Sequence, residues 1–149
     1  MSVSVISRNH ETNFIKAKRF RIPLFMECVS AGFPSPAQNY IEQTLDLNEL
    51  CIKRPAATFF VRVEGNSMIE AGIYPDDILV VDRSVQAKHG DIVIAGIHGE
   101  FTVKELQLRP CVKLIPRNQA YHPIRIPEGT ELELFGVVTH VVRNMRRKS

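Results

Sequence analysis

A serine in a predicted turn is the first residue that could do chemistry. Ser67 lies in EGNSMIE (64–70), which follows the apolar run ATFFVRV (57–63) and so should begin where a buried strand ends. A serine hydroxyl there could act as a nucleophile if a neighbouring base removed its proton. The alternative is an ordinary polar turn, and this segment alone does not decide between the two.

Histidine is the usual base for such a serine, but the sequence gives no sign of one. Four histidines lie in or near predicted turns and strands without a recognisable triad context: His89, His98, His122 and His140. The Gly-x-Ser-x-Gly pattern that surrounds many hydrolase nucleophiles is also absent from the sequence. A Ser-His-Asp hydrolase is therefore disfavoured.

Lys104 is the other candidate base. In the predicted strand FTVKELQL (101–108), alternation places Lys104 on the face that carries Leu106 and Leu108. A lysine with a pKa of about 10.4 is neutral in only about one molecule in 2,500 at pH 7, and burial can lower that pKa by up to about 3–5 units. A desolvated Lys104 could act as a base, whereas a Lys104 that reaches water could not.

Short strands separated by turns dominate the chain from residue 57 onwards. A mostly β fold, a barrel or sandwich, is therefore expected rather than alternating βα units. IHGEF (97–101) predicts a hairpin turn within it. The predicted strands are ATFFVRV (57–63), DDILVVD (76–82), DIVIAGI (91–97), EFTVKELQL (100–108), VKLIP (112–116) and ELELFGVVTHVV (131–142).

The N-terminal region has a different character. Residues 1 to about 21 are polar and irregular and predict a flexible arm. IPLFMECVS (22–30) could be a short helix or an extended segment. AGFPSPA (31–37) contains two prolines and a glycine, which predict an exposed, extended linker.

Two short elements are expected between this linker and the β region. NYIEQTLDL (39–47) could be a strand or one helical turn. Asp46 with Glu49 three residues later resembles a capping box and predicts a short helix in DLNELCI (46–52).

Composition restricts the class of protein. A chain of 149 residues with 44% apolar and 23% charged residues suits one soluble domain with an arm. No apolar run has the length of a membrane span or of a signal-peptide core, so a cytoplasmic location is expected. Three widely spaced cysteines without a Cys-x-x-Cys pair predict neither a disulfide framework nor a zinc site, and no cofactor is expected.

The net charge is +3, with basic residues concentrated near both ends. Such tails either contact nucleic acid phosphates or are simply solvated. The basic residues concerned are Arg8, Lys16, Lys18, Arg19 and Arg21 in the first segment, and Arg143, Arg146, Arg147 and Lys148 in the last.

Three stretches taken together, AGFPSPA, EGNSM and EFTVKELQLRP, resemble in order and separation the self-cleaving Ser–Lys proteins of the LexA/UmuD family. RPAATFFVRVEGNSMIEAGI, DDILVVDRS, KHGDIVIA and FGVVTHVV extend the resemblance, which is strongest to the UmuD-like branch and covers about residues 22–142. It implies a compact LexA-type C-terminal β-fold preceded by a flexible N-terminal arm. The arm over residues 1–21 falls outside the resemblance and looks longer than is usual in the family.

The resemblance also implies roles for particular residues. Ser67 matches the nucleophile and Lys104 the general base, and the backbone N–H groups of Asn66 and Ser67 match the oxyanion hole. The bond cut would be Ala31–Gly32. Residues 1–31 would then be an arm removed by self-cleavage, and residues 32–149 a Ser–Lys peptidase-like β domain.

The function implied is that of an SOS mutagenesis subunit and self-cleaving serine endopeptidase. Cleavage would be stimulated by a RecA–single-stranded DNA filament. The shortened homodimer would then be the accessory subunit of an error-prone Y-family DNA polymerase.

Three other functions are alternatives. A LexA-like or phage-type repressor would need a helix-turn-helix before the cleavage site, and residues 1–31 lack that pattern. A signal peptidase would need a membrane anchor. A non-catalytic β module that only binds a polymerase or sliding clamp would have an inert Ser67 or a solvated Lys104.

Overall fold

The computed structural model describes residues 3–7, 19–25, 32 and 41–146. The chain forms two compact units, one of Met1–His10 with Arg54–Ser149 and the other of Glu11–Lys53. Along the described residues the elements are β1 (Val3–Ser7), β2 (Ile22–Phe25), β3 (Ile41–Leu45), α1 (Leu47–Cys51), β4 (Thr58–Val63), β5 (Ile78–Asp82), β6 (Ile92–Ile97), β7 (Glu100–Gln107), β8 (Lys113–Ile115), β9 (Ile124–Arg125) and β10 (Glu133–Val142).

The larger unit is built on one eight-stranded sheet in the order β1-β4-β5-β10-β6-β7-β8-β9, with every neighbouring pair antiparallel. The mostly β prediction is therefore confirmed. All six predicted strands are present, each within the predicted range or shorter by a few residues at its ends. No helix in the described part of the chain has the length and apolar character needed to cross a membrane.

The sheet curls on itself, and this curl brings the two candidate residues together. One core cluster joins Val61 and Val63 of β4 to Val103 of β7, although three strands separate β4 from β7 in the sheet. These three valines are at most 1% exposed. The end of β4 and the middle of β7 therefore face each other across the core and contribute to the same cluster.

The long strand β10 contributes to the curl. Its pairing shifts by one residue between Leu134 and Gly136 against β6, and again between Val138 and His140 against β5. Such bulges bend a strand and increase its twist. Gly136 is required at the first bulge, because a Cβ there would lie 2.6 Å from Val81 Cγ1.

The predicted hairpin at IHGEF is confirmed. Ile97 of β6 pairs with Glu100 of β7, and the two residues between them, His98 and Gly99, have φ angles of 50° and 78°. Both φ angles are positive, as in the tight type I′ turn that joins antiparallel strands. The turn sets the register of β7 and thereby the face on which Lys104 lies.

In the smaller unit, β2 and β3 form a two-stranded antiparallel sheet followed by α1. The ambiguous segment NYIEQTLDL is thus a strand over Ile41–Leu45. The predicted helix is confirmed: Asp46 is its N-cap, and its carboxylate accepts a hydrogen bond from Asn48 N at 2.8 Å. Glu49 forms ion pairs with Arg19 and Arg21.

The N-terminal region differs from the expectation in one place. The sequence predicts an irregular segment over residues 1–21, whereas Val3–Ser7 form β1 and pair with β4. The segment VSVIS is rich in β-branched residues, and β4 without β1 would offer an open edge of backbone hydrogen-bonding groups. IPLFMECVS is extended over Ile22–Phe25, and its remainder lies outside the described residues, as does the linker AGFPSPA except for Gly32.

Candidate active site

The turn that carries Ser67 is shaped by glycine and anchored by methionine. Gly65 has a φ of 82°, a left-handed conformation that residues with a Cβ rarely adopt. Met68 is fully buried and belongs to the same core cluster as Val61 and Val63. Because its neighbour is fixed in the core, Ser67 is also held inward, with none of its surface exposed.

Lys104 meets Ser67 from the opposite side of the core. Its side chain is 4% exposed, and its Nζ donates hydrogen bonds to Ser67 Oγ at 3.2 Å, Thr102 Oγ1 at 2.7 Å and Val103 O at 3.1 Å. The structure therefore brings together the two residues that the sequence singled out. Lys104 is therefore desolvated in the core and does not reach water.

Burial changes the acidity of Lys104. It disfavours the charged ammonium and lowers the pKa of Lys104 from 10.5 to about 8. At pH 7 roughly one Lys104 in ten is then neutral, against about one in 2,500 for a solvated lysine. Half of the molecules carry a neutral amine near pH 8.

The hydrogen bonds of Lys104 show what the neutral form can do. A charged ammonium has three donors, which match its three oxygen partners. A neutral amine has two donors and one lone pair, so one partner must donate to it instead. The carbonyl of Val103 has no proton to give. The hydroxyl of Ser67 or Thr102 must then donate to Nζ, and donation by Ser67 is the arrangement of a nucleophile with its general base.

The backbone N–H groups of Asn66 and Ser67 are available as hydrogen-bond donors within the described residues. Within the described residues, neither Asn66 N nor Ser67 N donates to a backbone or side-chain acceptor. The carbonyl of Asn66, in contrast, accepts from Asn118 Nδ2 at 2.9 Å. The turn thus presents two amide N–H groups of the kind that stabilise an oxyanion.

A loop between β8 and β9 holds the Ser67 turn. Besides the Asn118 contact, the hydroxyl of Tyr121 donates to Asn66 Oδ1 at 2.7 Å. Glu70 N donates to Arg117 O at 2.8 Å. Alternation along β7 already places Thr102 on the Lys104 face, but no local pattern in the sequence indicates the contacts of Asn118 and Tyr121.

Gly32 lies in an exposed bend, and Ala31 lies outside the described residues. His89, one of the histidines weighed as a base, accepts hydrogen bonds at Nδ1 from the backbone of Leu108 and Arg109. Among the described side chains, Ser67 Oγ has its hydrogen bond with Lys104 rather than with a histidine.

Fold and site together define a mostly β protein with a buried serine–lysine pair. Residues 23–139 match the family model described as Peptidase S24-like, which covers most of the chain and includes both Ser67 and Lys104. The chain therefore belongs to the Peptidase S24-like family, and the resemblance drawn from its sequence motifs is confirmed.

Individual relatives agree with this assignment. Over 124 residues the chain is 56% identical to Protein SamA of Salmonella typhimurium, an alignment that covers 83% of the chain and 86% of SamA. It is 52% identical over 120 residues to Protein MucA of Escherichia coli, covering 80% of the chain and 82% of MucA. The LexA repressor of Alcanivorax borkumensis is 37% identical over 118 residues, covering 78% of the chain but 56% of that repressor.

Proposed function

We propose that this protein is an SOS mutagenesis subunit that cleaves its own Ala31–Gly32 bond. The observation that carries the proposal is the buried hydrogen bond of 3.2 Å between Lys104 Nζ and Ser67 Oγ. Membership in the Peptidase S24-like family supports a serine peptidase activity. The similarity to SamA and MucA over more than four-fifths of their length supports a UmuD-like protein.

The proposed reaction begins with neutral Lys104. Its Nζ takes the proton of Ser67 as Oγ attacks the carbonyl carbon of Ala31, and the N–H groups of Asn66 and Ser67 bind the resulting oxyanion. Lys104 then gives the proton to the departing amine of Gly32. Water hydrolyses the ester between Ala31 and Ser67, which releases residues 1–31 and restores the hydroxyl.

A tethered substrate suits this site. Ser67 has no solvent-exposed surface, so it is poorly placed to meet free peptides. A linker in the same chain, or in a second copy of a homodimer, is present at high local concentration without a dedicated specificity pocket. Ala31 and Gly32 are small, and Pro34 and Pro36 favour an extended approach.

We further propose the domain division and the partners implied by the resemblance. Residues 1–31 are the arm removed by cleavage, and residues 32–149 the peptidase-like domain. A RecA–single-stranded DNA filament stimulates cutting. The shortened homodimer then joins a Y-family DNA polymerase, with a sliding clamp as a further candidate partner. The chain is 56% identical to SamA and 37% identical to the LexA repressor, so the relatives favour a mutagenesis subunit over a repressor.

The test is mass spectrometry of the purified chain after incubation at mildly alkaline pH, with and without a RecA–single-stranded DNA filament. We expect a fragment that begins at Gly32 and faster cutting with the filament.

Ser67→Ala should abolish the fragment because no nucleophile remains. Ser84→Ala, the same change in the turn after β5, is the matched control and should cut normally. Gly32→Glu should block cutting because a large charged side chain replaces a hydrogen beside the scissile bond.

Two outcomes would contradict the proposal. A fragment beginning at Gly32 from the Ser67→Ala chain would show that another group is the nucleophile. A parent chain that stays intact with the filament present would favour the alternative of a non-catalytic β module.

A further inference from the structure

The loop of residues 117–121, RNQAY, contacts the Ser67 turn through side chains that the reaction itself does not use. Asn118 Nδ2 donates to Asn66 O at 2.9 Å, and Tyr121 donates to Asn66 Oδ1 at 2.7 Å. Both hydrogen bonds converge on Asn66, the residue that directly precedes the nucleophile. The loop therefore holds Asn66 by its backbone and by its side chain.

The orientation of the Asn118 amide is fixed by a second contact. Its Oδ1 accepts a hydrogen bond from Ala120 N at 3.0 Å, while its Nδ2 donates to Asn66 O. Rotating the amide by 180° would place an oxygen against the Asn66 carbonyl and an NH2 group against the Ala120 N–H. Both contacts would be repulsive, so the network allows one orientation.

The contact with Asn66 also determines the orientation of the Ser67 N–H, because both groups belong to the same peptide. The carbonyl of Asn66 and the N–H of Ser67 belong to one planar trans peptide, in which they point in opposite directions. A hydrogen bond that fixes the direction of the carbonyl therefore fixes the direction of the N–H. That N–H is one of the two proposed donors to the oxyanion, whose effect depends on being aimed before the reaction starts.

We propose that Asn118 and Tyr121 are positioning residues that aim the Ser67 N–H at the oxyanion by holding the Asn66–Ser67 peptide. This inference rests on the proposed self-cleavage. It adds that a loop distant in the sequence supports the site. Asn118 lies 52 residues after Asn66, and Tyr121 lies 55 residues after it.

The same loop is also tied to the strand that carries the base. The guanidinium of Arg117 forms an ion pair with Glu105, the residue after Lys104 in β7. The carbonyl of Arg117 accepts the hydrogen bond from Glu70 N, just beyond the nucleophile. One loop thus contacts the nucleophile turn and the base strand, and links the positions of the two.

The variants for the test separate positioning from folding. Asn118→Asp keeps an oxygen to accept from Ala120 N but cannot donate to Asn66 O. Tyr121→Phe removes one hydroxyl from a side chain that is 40% exposed, so the variant is expected to fold. Gln119→Glu makes the same amide-to-carboxylate change one residue away, on an exposed side chain, and is the matched control.

The experiment measures the rate of self-cleavage from pH 6.5 to 10 for the full-length chain and each variant, with thermal unfolding as a check on folding. Removal of one oxyanion donor typically lowers a rate by about 10²–10³-fold, so a misdirected donor should lower the rate plateau by about 10–100-fold in Asn118→Asp. Tyr121→Phe should lose about 3–10-fold, since Asn66 O still accepts hydrogen bonds from Asn118 Nδ2 and from Ile69 N. The pH midpoint should stay unchanged in Tyr121→Phe because this variant adds no charge near Lys104, and Gln119→Glu should match the parent.

Wild-type rates in both Asn118→Asp and Tyr121→Phe would overturn the inference, as would an equal loss in Gln119→Glu. A shifted pH midpoint with an unchanged plateau in Tyr121→Phe would also overturn it, because the loop would then act on Lys104. If Asn118→Asp fails to fold, Tyr121→Phe decides. A parent chain that does not cut, or cutting that survives Ser67→Ala, would instead refute the proposed function and this inference with it.

Discussion

At the scale of single residues, the burial of Lys104 that lowers its pKa also lowers the stability of the fold. The folded pKa of about 8 lies below the value of 10.5 for an unperturbed lysine, and this difference corresponds to about 3 kcal/mol. Between these two pH values the unfolded chain binds a proton that the folded chain does not. The free energy of unfolding must therefore rise with pH from about 8 to about 10.5, and the penalty is complete below pH 8.

Replacing Lys104 with Met tests this balance. Lys104→Met keeps most of the side-chain length and removes the charge, at the expense of three hydrogen bonds. We expect the variant to lose cleavage and to be more stable than the parent at pH 7 by about 1–3 kcal/mol. The advantage should shrink as the pH approaches 10. Denaturant unfolding of both proteins at pH 7 and pH 9.5 measures it.

Lys88→Met is the control, because Lys88 is exposed and its loss should change stability little at either pH. If the stability difference between Lys104→Met and the parent were the same at both pH values, the pKa of Lys104 could not be lowered in the folded protein. Its role as the base would then be untenable.

Single residues also show what the sequence could reveal about the site. Ser67 stands out because it lies in a turn directly after an apolar run, Lys104 because it is a charged residue on an apolar strand face, and alternation along β7 adds Thr102. Asn118 and Tyr121 carry no such signal. Their contacts with Asn66 depend on the curl of a sheet that brings distant segments together, and no local periodicity encodes that curl.

At the scale of elements, Arg143, the residue directly after β10, holds the segment that follows the Ser67 turn. Arg143 donates to both carboxylate oxygens of Asp77, from Nε and Nη2, each at 2.6 Å. Nη2 also donates to Gly72 O at 2.7 Å, and the guanidinium carbon lies 4.5 Å from the centre of the Tyr74 ring. Asp77 is 1% exposed, so this arginine is the main compensation for a buried charge.

The pKa of Asp77 reflects the same contact. Burial alone would raise the pKa, but the hydrogen bond and charge of Arg143, together with the Tyr74 N–H, outweigh it and lower the pKa below 3.8. A lowered pKa means that the pair stabilises the fold above about pH 3.8. This contribution is lost as the pH falls through the folded pKa of Asp77.

We therefore expect Arg143→Met to lower the free energy of unfolding at pH 7 by about 2–4 kcal/mol, because it leaves the Asp77 carboxylate buried without its cation. The loss should diminish in acid as Asp77 becomes protonated. Arg146→Met, a change at a nearby exposed arginine, should stay within about 0.5 kcal/mol of the parent. Equal effects of the two substitutions would mean that the Asp77 contact contributes nothing specific.

The elements themselves were predictable to different degrees. Strands from β4 to β8 follow from runs of β-branched and apolar residues bounded by turn residues, and the hairpin at His98–Gly99 follows from its glycine. The prediction of an irregular arm missed β1, because the polar character of residues 1–21 outweighed the β-branched residues of Val3–Ser7 and the pairing also depends on an open edge at β4. The two bulges in β10 depend on its two different neighbours and were not predictable from its apolar run.

At the scale of the whole molecule, two basic residues near the N-terminus form ion pairs within the smaller unit. Arg19 and Arg21 form ion pairs with Glu49 at 3.6 and 3.2 Å. Exposed ion pairs of this kind contribute little to stability, so Arg19 and Arg21 can leave Glu49 and bind phosphate groups instead. A contact between these residues and the phosphates of the proposed nucleoprotein filament would make the binding affinity fall with salt concentration.

The proposed self-cleavage depends on a lysine that is neutral in the folded chain and takes the proton of Ser67. The most direct test is the rate of spontaneous cutting at Ala31–Gly32 by the unaltered protein from pH 6 to 10.5, measured by mass spectrometry within the range where it stays folded. With a Lys104 pKa of about 8, the rate should rise about tenfold per pH unit up to pH 7, pass its half-maximum near pH 8 and level off above pH 9. A rate that is flat across this range, or one that still rises about tenfold per unit at pH 9 as for a solvated lysine, would contradict the proposed reaction.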